Sequence, residues 1–144
     1  IVIFRAGAAP WHDELSYYDR FVDKLRFPSS YIFKSLNIWE ICAMLAQSRA
    51  YCGSSLHGLI VSTALAKPGI CIRLPRSGNK VTKHEAYVKT WKAGTVISVQ
   101  ALSDGLGLSM QSSFENLSEK NRHLAERYRK GFSELTTILD EFHI

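Results

Sequence analysis

The chain of 144 residues predicts an α/β fold: a doubly wound parallel sheet with helices on both faces, followed by a long C-terminal helix. Three observations carry this. Short apolar segments alternate with segments of helical periodicity over residues 1–100. The apolar segments are hydrophobic throughout, as strands covered on both faces are. From Ser113 to about Phe142 a single helical stripe runs with no proline in it.

IVIFRAG (1–7) is rich in β-branched residues and closes on Gly7, which reads as a buried strand. In DELSYYDRFVDKL (13–25), Asp13 reads as an N-cap, and Leu15, Tyr18, Phe21, Val22 and Leu25 share a helical face. Phe27-Pro28 ends that helix. SSYIFKS (29–35) is the second strand. Asn37 caps a helix over 38–48, whose apolar face is Ile38, Ile41, Cys42, Leu45 and Ala46. RAYCGS (49–54) is the third strand. A helix follows over 56–66, and Pro68 prevents its continuation. GICIRL (69–74) is the fourth strand and PRSGNKV (75–81) a polar loop. Thr82 caps a helix to Trp91, TVISVQ (95–100) is the fifth strand, and ALSDGLGLSM (101–110) reads either as a short helix or as a loop. In the terminal helix Leu117, Leu124, Tyr128, Leu135, Leu139 and Phe142 form a core-packing stripe, with Gly131 as the place for a bend or close crossing.

Composition narrows the class. Hydrophobic residues make up 46% and charged residues 22%, which excludes a disordered chain. No apolar run approaches the roughly 20 residues that cross a bilayer. The start, IVIFRAGAAPWHD, has neither the charged beginning nor the apolar stretch of a secretory signal. It also has no initiator Met and opens as if inside a buried strand, so the chain reads as the C-terminal half of a longer protein. The net charge is +5, but Lys and Arg are spread along the chain with no nucleic-acid motif, which suits anionic small molecules or an ordinary solvated surface better than nucleic acid. Cys42, Cys52 and Cys71 have no metal spacing and read as buried free thiols.

Ligands of such sheets bind beyond the carboxyl ends of the strands. The third of these ends is Cys52-Gly53-Ser54-Ser55-Leu56-His57-Gly58, with an ionisable ring on the first turn of the next helix. Free N–H groups and the helix dipole make that turn a place for phosphate or carboxylate. Ser54 and Ser55 can cap the helix or lend hydroxyls to a ligand. Gly53 and Gly58 leave room for a ligand or a neighbouring backbone. His57 reads either as a group facing the crevice or as a core histidine bonded to a carbonyl. Arg73, Arg76 and Lys80 follow the fourth strand and Arg5 the first; together they would supply positive field, and singly they are ordinary solvated charges. Trp11 and His12 also fall on this rim, whereas His84 and His143 have no context that suggests chemistry.

Ala43-Met44-Leu45-Ala46-Gln47-Ser48, then Gly53-Ser54-Ser55-Leu56-His57-Gly58-Leu59-Ile60, then Ala64-Leu65-Ala66-Lys67-Pro68, resembles the polysaccharide pyruvyl transferase family. The likeness is clear over 37–91, compatible with 1–36 and weak after 92. It implies a glycosyltransferase-B-like architecture of two Rossmann-like halves with the site between them. Residues 1–112 would form the C-terminal Rossmann-like domain, and 113–144 a helix packing on it or on the missing N-terminal half. The implied reaction moves a pyruvyl group from phosphoenolpyruvate to a sugar of a polysaccharide or its lipid-linked precursor, forming a ketal. The resemblance implies no metal and no cofactor beyond the donor substrate, and a cytoplasmic setting, at most peripheral to the inner face of the membrane. His57 would be catalytic, with Ser54, Ser55, Arg5, Arg73, Arg76 and Lys80 binding the donor's anionic groups. Ser55 stands where many members carry arginine, a charge that Arg5 or Arg76 would have to replace.

Two other readings compete. A nucleotide-sugar glycosyltransferase of the same architecture would need an acidic residue after a late strand, for which Glu85 and Asp104 are the candidates. A non-catalytic interaction domain would leave the turn before His57 without an anion.

Overall fold

The computed structural model describes residues 1–8, 13–24, 29–73, 81–102, 104, 105, 107, 111 and 114–141. Trp11, His12, Arg76 and Lys80 lie outside the described residues, as does nearly all of the loop expected over 75–81. The chain divides into two compact units, Ile1–Gln47 and Ser48–Ile144.

In the first unit β1 (Val2–Phe4) and β2 (Tyr31–Phe33) pair in parallel, with Ile3 opposite Ile32, beside α1 (Leu15–Lys24) and α2 (Ile38–Gln47). Asn37 caps α2 as its position predicts: its Oδ1 accepts from the Trp39 N–H at 2.9 Å. Helix α1 starts later than an Asp13 cap would set it. The Asp13 carboxylate accepts from the Tyr18 hydroxyl at 3.3 Å, and its carbonyl accepts from Arg5 Nη1 at 3.0 Å. A short acidic side chain has several local partners to choose from, and here a tyrosine takes the place of the helix end.

In the second unit β3 (Tyr51–Gly53), β4 (Gly69–Arg73) and β5 (Thr95–Ser98) form a parallel sheet in that order. The crossovers are α3 (Leu56–Ala64) and α4 (Lys83–Trp91), and α5 (Phe114–Glu141) packs on α3. Alternation along the strands turns Tyr51, Gly69 and Cys71 toward α3 and Ile70, Ile72 and Ile97 to the other face. On that other face Gly105 approaches so closely that a Cβ would lie 2.6 Å from Ile97 Cδ1. Leu102, Asp104, Gly105 and Gly107 have helical backbone, so the short-helix reading of this stretch holds for them.

Among the described residues the largest fully buried side chains are Leu59, Ser62, Ile70 and Cys71. Ser62 is satisfied there, its hydroxyl donating to the Leu59 carbonyl at 2.9 Å. Helix α4 opens with a capping box. The Glu85 N–H donates to Thr82 Oγ1 at 3.2 Å, and the Thr82 N–H donates to Glu85 Oε2 at 2.7 Å.

Several expectations change. Among the described residues the strands pair as two parallel sheets, one in each unit, where the alternation predicts one. An apolar, alternating pattern marks strands but does not encode which of them pair. The strand expected over 95–100 gives way after Ser98 to a 3-10 turn, Val99–Ala101. All three cysteines are free, but only Cys71 is buried; Cys42 is half-buried and Cys52 exposed. Gly131 lies within the continuous α5 and marks no close crossing, since a Cβ there would find open space among the described residues. The terminal stripe is core only in its first half: Leu117 and Leu124 are partly buried, whereas Tyr128, Leu135 and Leu139 are exposed. Among the described residues no helix is long and apolar enough to cross a membrane.

Candidate active site

Strand β3 ends at Gly53, and α3 begins three residues later. Ser55 is its N-cap, with extended backbone (φ −88°, ψ 125°) and a hydroxyl that accepts from the Gly58 N–H at 3.4 Å. The turn is fixed from beneath by Tyr51. Its hydroxyl donates to the Ser55 carbonyl at 3.0 Å and accepts from the Ser55 N–H at 3.2 Å. Cys71 adds a weaker S–H contact to the same carbonyl at 3.8 Å. Burial, with Cys71 nearby, pushes the Tyr51 phenol far above its ordinary value. Burial, with Cys52 nearby, pushes the Cys71 thiol up to about 11. Both groups therefore stay protonated near neutrality and remain donors to the Ser55 carbonyl.

The ring of Tyr51 also explains the two glycines. A Cβ on Gly53 would lie 2.7 Å from its hydroxyl, and one on Gly58 2.5 Å from the ring. The space expected for a ligand or a neighbouring backbone is filled by this side chain. Sequence reasoning passed over Tyr51 as one more apolar strand residue. The signal was there: a bulky aromatic ring just ahead of a turn with glycine at two positions.

With the cap so occupied, the Leu56 and His57 N–H groups have no acceptor among the described residues. His57 is exposed, and its ring has no hydrogen-bond partner among the described residues. This rules out the core-histidine reading. Ser54 is exposed beside it. The arrangement offers two backbone donors at a helix start, a free hydroxyl and a free imidazole on one short turn, suited to an anion that must also exchange protons.

Arg73 ends β4, the strand paired with β3, and so shares this rim of the second unit. Its Nη1 lies 3.2 Å from Glu85 Oε1. Hydrogen bonds from Thr82, helped by Arg73, hold the Glu85 carboxyl below the usual range. Glu85 is thus engaged in starting α4 and steadying Arg73, not presented for sugar hydroxyls. His84, in the first turn of α4, has its Nε2 buried with no hydrogen-bond partner. The sequence offered no context for His84; its place at the start of α4 puts it beside Glu85. Arg5 lies in the first unit, where its Nη1 holds the Asp13 carbonyl and its Nε is buried without a partner. The structure thus brings Ser54, Ser55, His57 and Arg73 to one sheet edge, with Arg76 and Lys80 outside the described residues.

Searches of curated proteins and of solved structures each return no match. A family model described as polysaccharide pyruvyl transferase matches residues 1–74, from ahead of β1 to just past β4, and takes in the whole turn around His57. That span is half of the 144 residues, and the chain belongs to the polysaccharide pyruvyl transferase family.

Proposed function

We propose that the chain carries the donor-binding turn of an enzyme that transfers a pyruvyl group from phosphoenolpyruvate to a sugar of a polysaccharide or its precursor. The observation that carries this reading is the exposed His57 ring, unpartnered among the described residues, on the same turn as the two α3 N–H groups that have no acceptor among them. Phosphoenolpyruvate bears a phosphate and a carboxylate, and a helix start is a natural seat for either.

Ketal formation joins two sugar hydroxyls to the central carbon of the donor and releases phosphate. One hydroxyl proton ends on the methylene carbon, which becomes a methyl group. The other leaves with the phosphate. Protonation of the enol carbon creates a cation that the first hydroxyl captures; phosphate departs, and the second hydroxyl closes the ring. Histidine suits this traffic because its ordinary pKa, about 6.5, lies near working pH. In this reading His57 moves the protons, Ser54 and the α3 N–H groups hold the anion, and Ser55 acts through its cap. Arg73, steadied by Glu85, adds positive field, together with Arg76 and Lys80. The reaction so described belongs in the cytoplasm, where such a donor is made.

Titration of phosphoenolpyruvate, with a nucleotide sugar in parallel, against the protein and its His57→Ala variant tests the reading. Saturable binding of phosphoenolpyruvate that weakens in the variant is expected. Binding of the nucleotide sugar alone would replace this reading with glycosyl transfer. No binding of either to a folded protein would leave an interaction domain.

A further inference from the structure

The opposite end of α3 carries a second, separate feature. A nine-residue helix is roughly 13 Å long, so the C-terminal end of α3 lies well away from the His57 turn. There a cleft of about 110 Å³ opens between the start of β4, the loop after α4 and the flank of α5. Lys67, Lys92 and Lys120 line it, one from each of these elements, and no carboxylate does. None of the three has an ion-pair partner among the described residues. Two of them stand at helix C-termini, where lysine offsets the helix dipole. Each such end supplies about half a negative charge, so the cleft keeps a surplus near +2. Its volume holds several water molecules and so leaves room for a phosphate group.

Beside the cleft, and sharing Thr63 with it, runs an apolar groove of about 590 Å³ between α3, α4 and α5. Ile60, Tyr87, Trp91, Leu124 and Tyr128 form its walls. Of the polar side chains along it, Asn121 Nδ2 donates to the Ala64 carbonyl and the Thr63 hydroxyl to the Leu59 carbonyl, while Arg129 adds a further positive charge to the lining. No carboxylate lines the groove, and Arg127 lies over the Trp91 ring at 5.6 Å.

The geometry points to a binding site for an amphiphile with a phosphate head and an apolar tail: the head among Lys67, Lys92 and Lys120, the tail along Trp91, Tyr128 and Leu124. A cationic cleft alone would suit any anion, and an apolar groove alone any oily molecule. Their junction at Thr63 selects a molecule that is both. The site is independent of the donor turn, and the His57→Ala variant should leave it intact.

Isothermal titration with dodecyl phosphate below its micelle concentration, dodecanol and inorganic phosphate tests the site. Dodecyl phosphate should bind at least about tenfold tighter than either part, a gain of about 1.4 kcal/mol. The triple variant Lys67→Gln, Lys92→Gln, Lys120→Gln should lose most of that gain, and so should Ile60→Asn, which makes one groove wall polar. Vesicles of phosphatidylcholine with phosphatidic acid separate a membrane source from a free one. Co-sedimentation that dodecyl phosphate competes away supports the site with a lipid in it. Dodecyl phosphate binding without co-sedimentation supports the site with a free ligand. Adsorption to vesicles with no binding of monomeric dodecyl phosphate would overturn the proposal, because the lysines would then act only as surface charge. Equal binding of dodecyl phosphate and inorganic phosphate, or an unchanged triple variant, would overturn it too.

Discussion

The Tyr51 hydroxyl engages both backbone polar groups of Ser55, donating to its carbonyl at 3.0 Å and accepting from its N–H at 3.2 Å. Ser55 is the cap from which α3 starts, so one phenol sets where the free N–H groups of that helix stand. Removing the hydroxyl leaves the half-buried Ser55 N–H without its partner, while the carbonyl keeps the Leu59 N–H and the Cys71 S–H, at a cost of about 1 kcal/mol or more. Tyr51→Phe should therefore lower the denaturant midpoint with an unchanged slope and weaken phosphoenolpyruvate binding as the turn relaxes. A midpoint equal to that of the parent protein would show that the hydroxyl does not support the turn.

The two motif glycines should answer to the same ring. A Cβ on Gly58 would lie 2.5 Å from the Tyr51 ring. Gly58→Ala should cost about 1–3 kcal/mol through overpacking. In a Tyr51→Leu background, where the ring is gone, the same change should cost much less. Denaturation of the four proteins measures the coupling. Strict additivity would mean that Gly58 is required for some other reason.

His57 should behave in the opposite way. Its ring is exposed and unpartnered, so His57→Ala should change stability by no more than about 0.5 kcal/mol. Under the proposed chemistry the same variant should slow pyruvyl transfer by about 10²-fold or more. Parallel melting and transfer assays separate the two. A large loss of stability would return His57 to a structural role.

Glu85 gives a pH signature. Its carboxyl is held below the usual range by Thr82 and Arg73, so the folded state favours the ionised form. That contribution is complete above the unfolded carboxyl value of about 4.3 and is lost as pH falls through the lower folded value. Glu85→Gln should melt below the parent protein at pH 6, and the gap should close as the pH falls below about 4. A gap constant with pH would mean that the charge contributes nothing.

The thiols can be ranked by reactivity. Cys52 is exposed, whereas Cys71 is buried with a thiol pushed up to about 11. Iodoacetamide at mild pH should modify Cys52 well before Cys71, as read by mass spectrometry of the native protein. Equal rates would contradict the burial of Cys71.

Much of this was legible in the sequence, and all the failures but one share a cause. Apolar runs and helical spacing locate all five strands and the long helices, because burial dictates those patterns one segment at a time. Asn37 and Thr82 announce their caps by position alone, whereas the sequence leaves the α3 cap between Ser54 and Ser55 and the structure selects Ser55. The His57 turn is legible as a helix start, because small polar residues after a parallel strand suit a cap or a ligand, and Ser55 takes the cap. What escapes are relations between segments. The pairing of strands into two sheets, the ring of Tyr51 under Gly58 and the hold of Glu85 on Arg73 each depend on residues that only the fold brings together. Asp13 escapes for a different reason: a short acidic side chain has both a helix end and a tyrosine within reach, and local pattern does not choose between them.

Helix α5 is one continuous rod, yet its two halves stand in different surroundings. Up to Ala125 it rests against α3, and from Glu126 to Glu141 every residue is exposed. An isolated helix of about 12–15 residues is only marginally stable in water, so the outer half borrows its order from the anchored one. Its amide protons should therefore be lost to deuterium in sequence, fastest near Glu141 and slowest near Leu124. The helix would unravel inward like a frayed cord, and whatever comes to cover Phe132, Leu135 and Leu139 would be registered first as a slowing of that clock.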